Sequence, residues 1–117
     1  MRRAFLAICL LTAGSVLAEA KLLHCFFFTP IEEATDADWK AFAKATDELP
    51  KKIPGMTGVT HGKLRRESAK RSHGVCMEFK DASALDAYAK HEAHDTWMKV
   101  YEKVRQAGTS TFDIVTE

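Results

Sequence analysis

The segment AYAKHEAHDTW, Ala87 to Trp97, places Tyr88, His91, His94 and Trp97 at intervals of three residues. In a continuous helix each such step turns the side chain by about 60°, which leaves Tyr88, His91 and His94 on one broad side. Three roles suit such a set. The first is metal binding. Zinc hydrolases carry two helical histidines four residues apart with a glutamate between them. HEAH is one residue short, and a third protein ligand would have to be His24 or His61. No metal site is expected. The second is proton transfer: an imidazole titrates near about pH 6.5 and can both take and give a proton at neutral pH. The third is structural, with His91 capping a broken helix and His94 bonded to backbone or to a carboxylate. The sequence carries no nucleophile elbow, phosphate loop or close carboxylate pair, and no cofactor is expected.

The flanking elements decide what these side chains can meet. LLHCFFF, Leu22 to Phe28, is a continuous apolar run that reads as a strand buried on both faces. Strand alternation puts Leu22, His24, Phe26 and Phe28 on one face and Leu23, Cys25 and Phe27 on the other. If the first set faces the helices, His24 enters the space that Tyr88 and His94 approach. Thr35 caps a helix with Asp36 and Asp38 in its first turn, and Trp39, Phe42, Thr46, Leu49 and Ile53 form its buried stripe. Pro50 and the Ile53-Pro54-Gly55 turn are expected to end it. Gly58 to Leu64 and Ser72 to Phe79 read as strands joined by a polar connection, Arg65 to Arg71. Asp81 or Ser83 caps a short helix, ASALDAYAKH. A further helical piece, DTWMKVYEKVRQ, buries Trp97, Met98, Tyr101 and Val104 and stops at Gly108. Ser110 to Thr116 alternates as a last strand.

The order β-α-β-β-α-β predicts an α+β ferredoxin-like sandwich, four antiparallel strands with helices on one face. The other face would be bare, although the first strand is apolar on both sides. A second copy of the sheet is the simplest cover, giving a homodimer. The aromatic residues Phe26, Phe28, Trp39, Phe42 and Trp97 are core, and they would line a pocket for a small apolar or aromatic ligand if the core is incompletely filled.

Residues 1–20 have the pattern of a secretory signal peptide: a basic start, an apolar run too short for a comfortable membrane span, and Ala18-Glu19-Ala20 as a small-residue cleavage site. An exported protein, periplasmic or extracellular, is expected, with no membrane anchor after cleavage. Removal of residues 1–20 takes Arg2, Arg3 and Glu19 from the 17 basic and 16 acidic residues and leaves the rest in balance. That speaks against a nucleic-acid partner, which calls for a basic surplus. The run Lys63, Arg65, Arg66, Lys70 and Arg71 reads as a solvated turn. Cys25 and Cys76 fit no metal knuckle and no C-x-x-C motif. They should sit side by side on neighbouring strands, on the face away from the helices. Opposed strand residues stand slightly too far apart for an unstrained bridge, so two buried thiols in the dimer interface are expected.

From Leu22 to Thr116 the chain resembles the stress-responsive A/B barrel (Dabb) domain family. The residues that carry the resemblance are the histidine of LLHCFFF, LPKKIPGM, HGVCMEFKDASALDAY and AYAKHEAH, where Glu92 replaces the family's usual proline. The resemblance implies residues 21–117 as one domain and a dimeric α+β barrel with sheets packed face to face. Most members have no assigned reaction, which implies a stress-associated, small-ligand-binding module. The alternative it implies is a cofactor-free lyase or cyclase like olivetolic acid cyclase, with His94 as general base and Tyr88 and His24 positioning the substrate. Thr46 stands about where that cyclase has another pocket tyrosine. A cavity that reaches both histidines would favour catalysis, and a packed core would favour binding.

Overall fold

The computed structural model describes residues 21–68 and 70–116, so the signal-peptide segment lies outside the described residues. The elements run β1 (Leu22–Phe28), α1 (Asp36–Lys52), β2 (Met56–Ser68), β3 (Arg71–Phe79), α2 (Ala82–Ala89), α3 (Glu92–Glu102) and β4 (Ser110–Val115). The strands form one antiparallel sheet in the order β2-β3-β1-β4. This is the ferredoxin-like arrangement that the element order predicts.

The helix-facing side holds the core. Leu22, Phe26 and Phe28 of β1 and Val75, Met77 and Phe79 of β3 are buried there against Phe42, Leu49, Tyr88, Trp97 and Tyr101. Local chemistry sets the helix starts. Thr35 and Asp38 form a capping box on α1, and the Asp81 carboxylate accepts from the Ala84 N–H at 2.8 Å to start α2.

Several boundaries differ from expectation, among them the start of α3, which lies at Glu92 and not Asp95. α1 continues through Pro50 to Lys52. Pro50 forfeits one hydrogen bond close to the end, and the last turn closes through the Ile53 N–H to the Leu49 carbonyl at 2.9 Å. Gly55, at φ +86°, then turns the chain into β2, and a Cβ there would stand 2.6 Å from the Ala84 Cβ. The polar stretch from Arg65 is no loose connection, since β2 and β3 extend into it and pair as far as Ser68 and Arg71. Its exposed charges suit an edge strand and mask the strand pattern. α3 ends at Glu102, well before Gly108, which turns the chain into β4 at φ +98°.

Among the described residues no helix lies on the opposite sheet face. Cys25 pairs with Cys76 in register, as the strand geometry requires, but the two form a disulfide with Cα atoms 4.1 Å apart. The expectation of free thiols is therefore corrected. Opposed residues in an antiparallel ladder alternate between wide and close spacing, and this pair has the close one. Phe27 lies over Gly74 and next to Phe112, while Phe112 and Ile114 of β4 are 58% and 54% exposed.

Candidate functional site

The helix that could have carried Tyr88, His91 and His94 together is broken between α2 and α3. His91 is the N-cap of α3, and its Nδ1 accepts from the Ala93 N–H at 2.9 Å. That atom is committed to structure, so His91 has the capping role. The break leaves Tyr88 on the last turn of α2 and His94 on the first turn of α3, with ring centroids 4.7 Å apart in an edge-on contact.

Both side chains line a cavity of about 240 Å³ together with His24 and Phe26 of β1, Trp97, Met98 and Tyr101 of α3, Arg105, Thr109, and Thr111 of β4. His24, Tyr88 and His94 thus converge on one space, as the strand alternation implied. His24 Nδ1–H donates to Asp113 Oδ1 at 2.6 Å, which fixes its tautomer and leaves Nε2 as the nitrogen without a protein partner among the described residues. Sequence reasoning missed Asp113. The signal was the alternation of β4, which sets Thr111 and Asp113 on one face. Their register opposite Phe26 and His24 sets Thr111 in the cavity wall and Asp113 beside His24.

His94 differs from His24. Its Nδ1 is buried without a hydrogen-bond partner, and the nearest carboxylate oxygen, on Asp95, is 3.8 Å away. Burial holds its pKa below the ordinary histidine value. The nearby His24 adds to the shift, and Asp95 opposes it. His94 is therefore a neutral imidazole at pH 7. Tyr88 is almost fully buried, and this desolvation raises its pKa strongly, so the hydroxyl stays protonated as a donor.

The five aromatic residues expected to form one pocket are divided. Phe26 and Trp97 line the cavity of His24 and His94. Phe28, Trp39 and Phe42 line a second cavity of about 240 Å³ with His61, Lys63 and His73. Helical spacing gives the buried stripe but not which end of the sheet each ring covers. The rings of Phe42 and Trp97 stand 6.2 Å apart at the boundary between the two spaces. A wider groove of about 400 Å³ runs between α1 and α3 past Lys52, His91 and Glu92, without reaching His24 or Tyr88. Among the described residues no group of three or more His, Cys, Asp or Glu side chains is placed to hold a metal ion, and no helix is long and apolar enough to cross a membrane.

A four-stranded antiparallel sheet with helices on one face defines a ferredoxin-like α+β domain. The chain belongs to the stress-responsive A/B barrel domain family, whose profile matches residues 22–115. It is similar to a dimeric ferredoxin-like protein of unknown function from Jannaschia sp. CCS1, at 26% identity and a TM-score of 0.68 over 80% of this chain and 97% of that one. A Dabb-family protein with a ferredoxin-like fold from Mesorhizobium loti shares the fold at 19% identity, TM-score 0.69, covering 84% and 98% of the two chains. A hydroxynitrile lyase from Passiflora edulis shares it at 9% identity, TM-score 0.71, covering 85% and 95%. No curated protein matches the chain.

Proposed function

We propose that this domain is an exported homodimer whose cavity binds a small planar molecule and carries out an acid–base step on it, of the lyase or cyclase kind. The observation that carries this reading is the convergence of His24, Tyr88 and His94 on one cavity. In the proposed step His94, kept neutral by burial, accepts a proton from carbon next to a carbonyl. Tyr88 O–H donates to the oxygen on which charge develops. His24, held by Asp113, offers Nε2 to a second polar atom of the substrate. That a hydroxynitrile lyase is built on the same fold fits a C–C lyase step, although at 9% identity it supports the scaffold and not the substrate.

Phenylacetone is a suitable neutral probe, having one ring, one carbonyl and acidic C–H groups beside it. The mature protein should accelerate exchange of those hydrogens for solvent deuterium, followed by NMR. Binding without accelerated exchange would reduce the site to the stress-associated binding module. No binding at millimolar concentrations would remove the small-molecule reading.

The export and dimer parts have separate support. A disulfide between Cys25 and Cys76 suits an oxidising compartment. The exposed Phe112 and Ile114, beside Phe27, form an apolar sheet face that a second sheet would cover, and the Jannaschia relative is described as dimeric. Native mass spectrometry of exported protein tests all three points together: a chain starting at Lys21, an intact disulfide and a dimer. A monomer, or a chain that retains residues 1–20, would overturn the corresponding part.

A further inference from the structure

The cavity of His24 and His94 has a second polar end that the acid–base step leaves unused. His24 lies near the start of β1. Thr109 and Arg105 lie toward the other end of that strand, where Arg105 pairs with Pro30 in an isolated bridge. The Arg105 guanidinium sits 4.6 Å above the centre of the Tyr101 ring, and Nη1 donates to Thr109 Oγ1 at 3.1 Å. The same hydroxyl is 3.0 Å from the Tyr101 hydroxyl. Arg105 Nε is buried with no hydrogen-bond partner, and among the described residues no carboxylate forms an ion pair with Arg105.

A guanidinium partly withdrawn from water with no counter-ion is costly, and its fork of N–H groups matches a carboxylate. Arg71, at the start of β3, also has a buried, unpartnered Nε. Both arginines act electrostatically on the Tyr101 hydroxyl, partly offsetting the rise that burial imposes on it. The carboxylates near the histidines, Asp113 and Asp95, belong to the opposite end. Asp113 is bonded to His24 and Asp95 is exposed. The cavity is therefore polarised, with a cation at one end, imidazoles at the other and aromatic walls (Phe26, Tyr88, Trp97, Tyr101) between them.

We infer that Arg105 anchors a carboxylate, and that the ligand of this cavity is a single-ring aromatic acid whose far substituent reaches His94 and Tyr88. The inference deepens the acid–base reading by naming the substrate class, but its test reads binding and not turnover.

The affinities of benzoate and of neutral benzamide are measured by calorimetry at pH 7 for the wild-type mature protein, Arg105→Gln and Arg105→Lys, with thermal melts as a check on folding. Wild type should prefer benzoate by at least about 10-fold, the scale of one charge-assisted hydrogen bond. Arg105→Gln should lose that preference, its loss of affinity being much larger for benzoate than for benzamide, and Arg105→Lys should keep part of the preference. Equal affinities in the wild type, a preference that survives Arg105→Gln, or no binding of either probe in the millimolar range would each overturn the inference. If Arg105→Gln does not fold, a reduced preference in Arg105→Lys with benzamide still bound supports it, and a full preference in that variant overturns it. A failed deuterium exchange of phenylacetone with the benzoate preference intact would remove the catalytic reading and leave the anchor standing.

Discussion

Two cavities of about 240 Å³ each lie on the helix-facing side of the sheet, and each carries two histidines. They differ in whether buried polar atoms are left unmet. In the cavity lined by Phe28, Trp39 and Phe42, His61 Nε2 bonds Asp47 Oδ1 at 2.8 Å and His73 Nδ1 bonds the Ser72 hydroxyl at 2.8 Å. The His73 ring also stacks on Trp39 with centroids 4.9 Å apart. In the cavity between β1 and α3, His94 Nδ1 and Arg105 Nε are buried without partners. Burial lowers the pKa of both His73 and His94, so a displaced pKa does not separate them. Unmet hydrogen bonds do. A native fold rarely leaves buried polar atoms orphaned, and a site waiting for a ligand is one place where it does.

The largest effect expected from this difference is on turnover. His94→Ala should slow deuterium exchange of phenylacetone by at least about 10²-fold with the fold intact, the scale of a lost general base. His73→Ala should leave the exchange rate essentially unchanged. Equal losses in the two variants would erase the distinction between the cavities. Loss in His24→Ala with none in His94→Ala would instead transfer the base role to the histidine that holds the carboxylate.

The place of His24 on the helix-facing side is legible because strand alternation is a local rule, whereas Tyr88 and His94 meet across the break between α2 and α3, which helical spacing does not describe. The partners of that set are not legible. Asp113 stands 89 residues from His24, and only the pairing register of β1 with β4 brings the two together. Arg105 lies beyond the end of α3, in a segment whose apparent helical run to Gly108 hid the turn that brings it to the cavity. The opposition of Cys25 and Cys76 followed from the element order, but their bond depends on the close or wide spacing of one residue pair, which no sequence pattern displays. Spacing marks the aromatic residues as one apolar set but says nothing about where along the sheet a helix lies, and the set divides between two cavities.

A middle-sized effect is expected at the wall between the cavities. Thr46 is fully buried on α1, donates to the Phe42 carbonyl at 2.6 Å and accepts from Trp97 Nε1–H at 2.9 Å. Phe42 lines one cavity and Trp97 the other, so this hydroxyl pins both walls. Thr46→Val keeps the shape and orphans the Trp97 N–H, which should cost about 1–3 kcal/mol in urea unfolding. A neutral outcome would show that the indole finds water, and that the wall is less rigid than the contact implies.

The smallest effect expected is a dependence of stability on pH. His94 is lowered by burial and by His24, against Asp95, while His73 is lowered by burial and by Lys63, against Glu67. A histidine whose folded pKa lies below its unfolded value, about 6.5, binds fewer protons when folded. In the window between the two values the unfolded chain takes up more protons, so stability rises with pH there and is flat above it. As pH falls through that window, part of the stability is lost. The capping carboxylates Asp38 and Asp81 are also lowered, by hydrogen bonds from Thr35 and from the Ala84 N–H, but their stability is lost only below the ordinary carboxylate value of 3.8. The histidine slope can therefore be read alone between about pH 5 and 7. Urea midpoints should fall on acidification across that range, less so in His94→Gln and in His73→Gln, and least in the double variant. A slope unchanged by His94→Gln would mean that this ring charges as freely folded as unfolded, and that burial is not what sets its proton affinity.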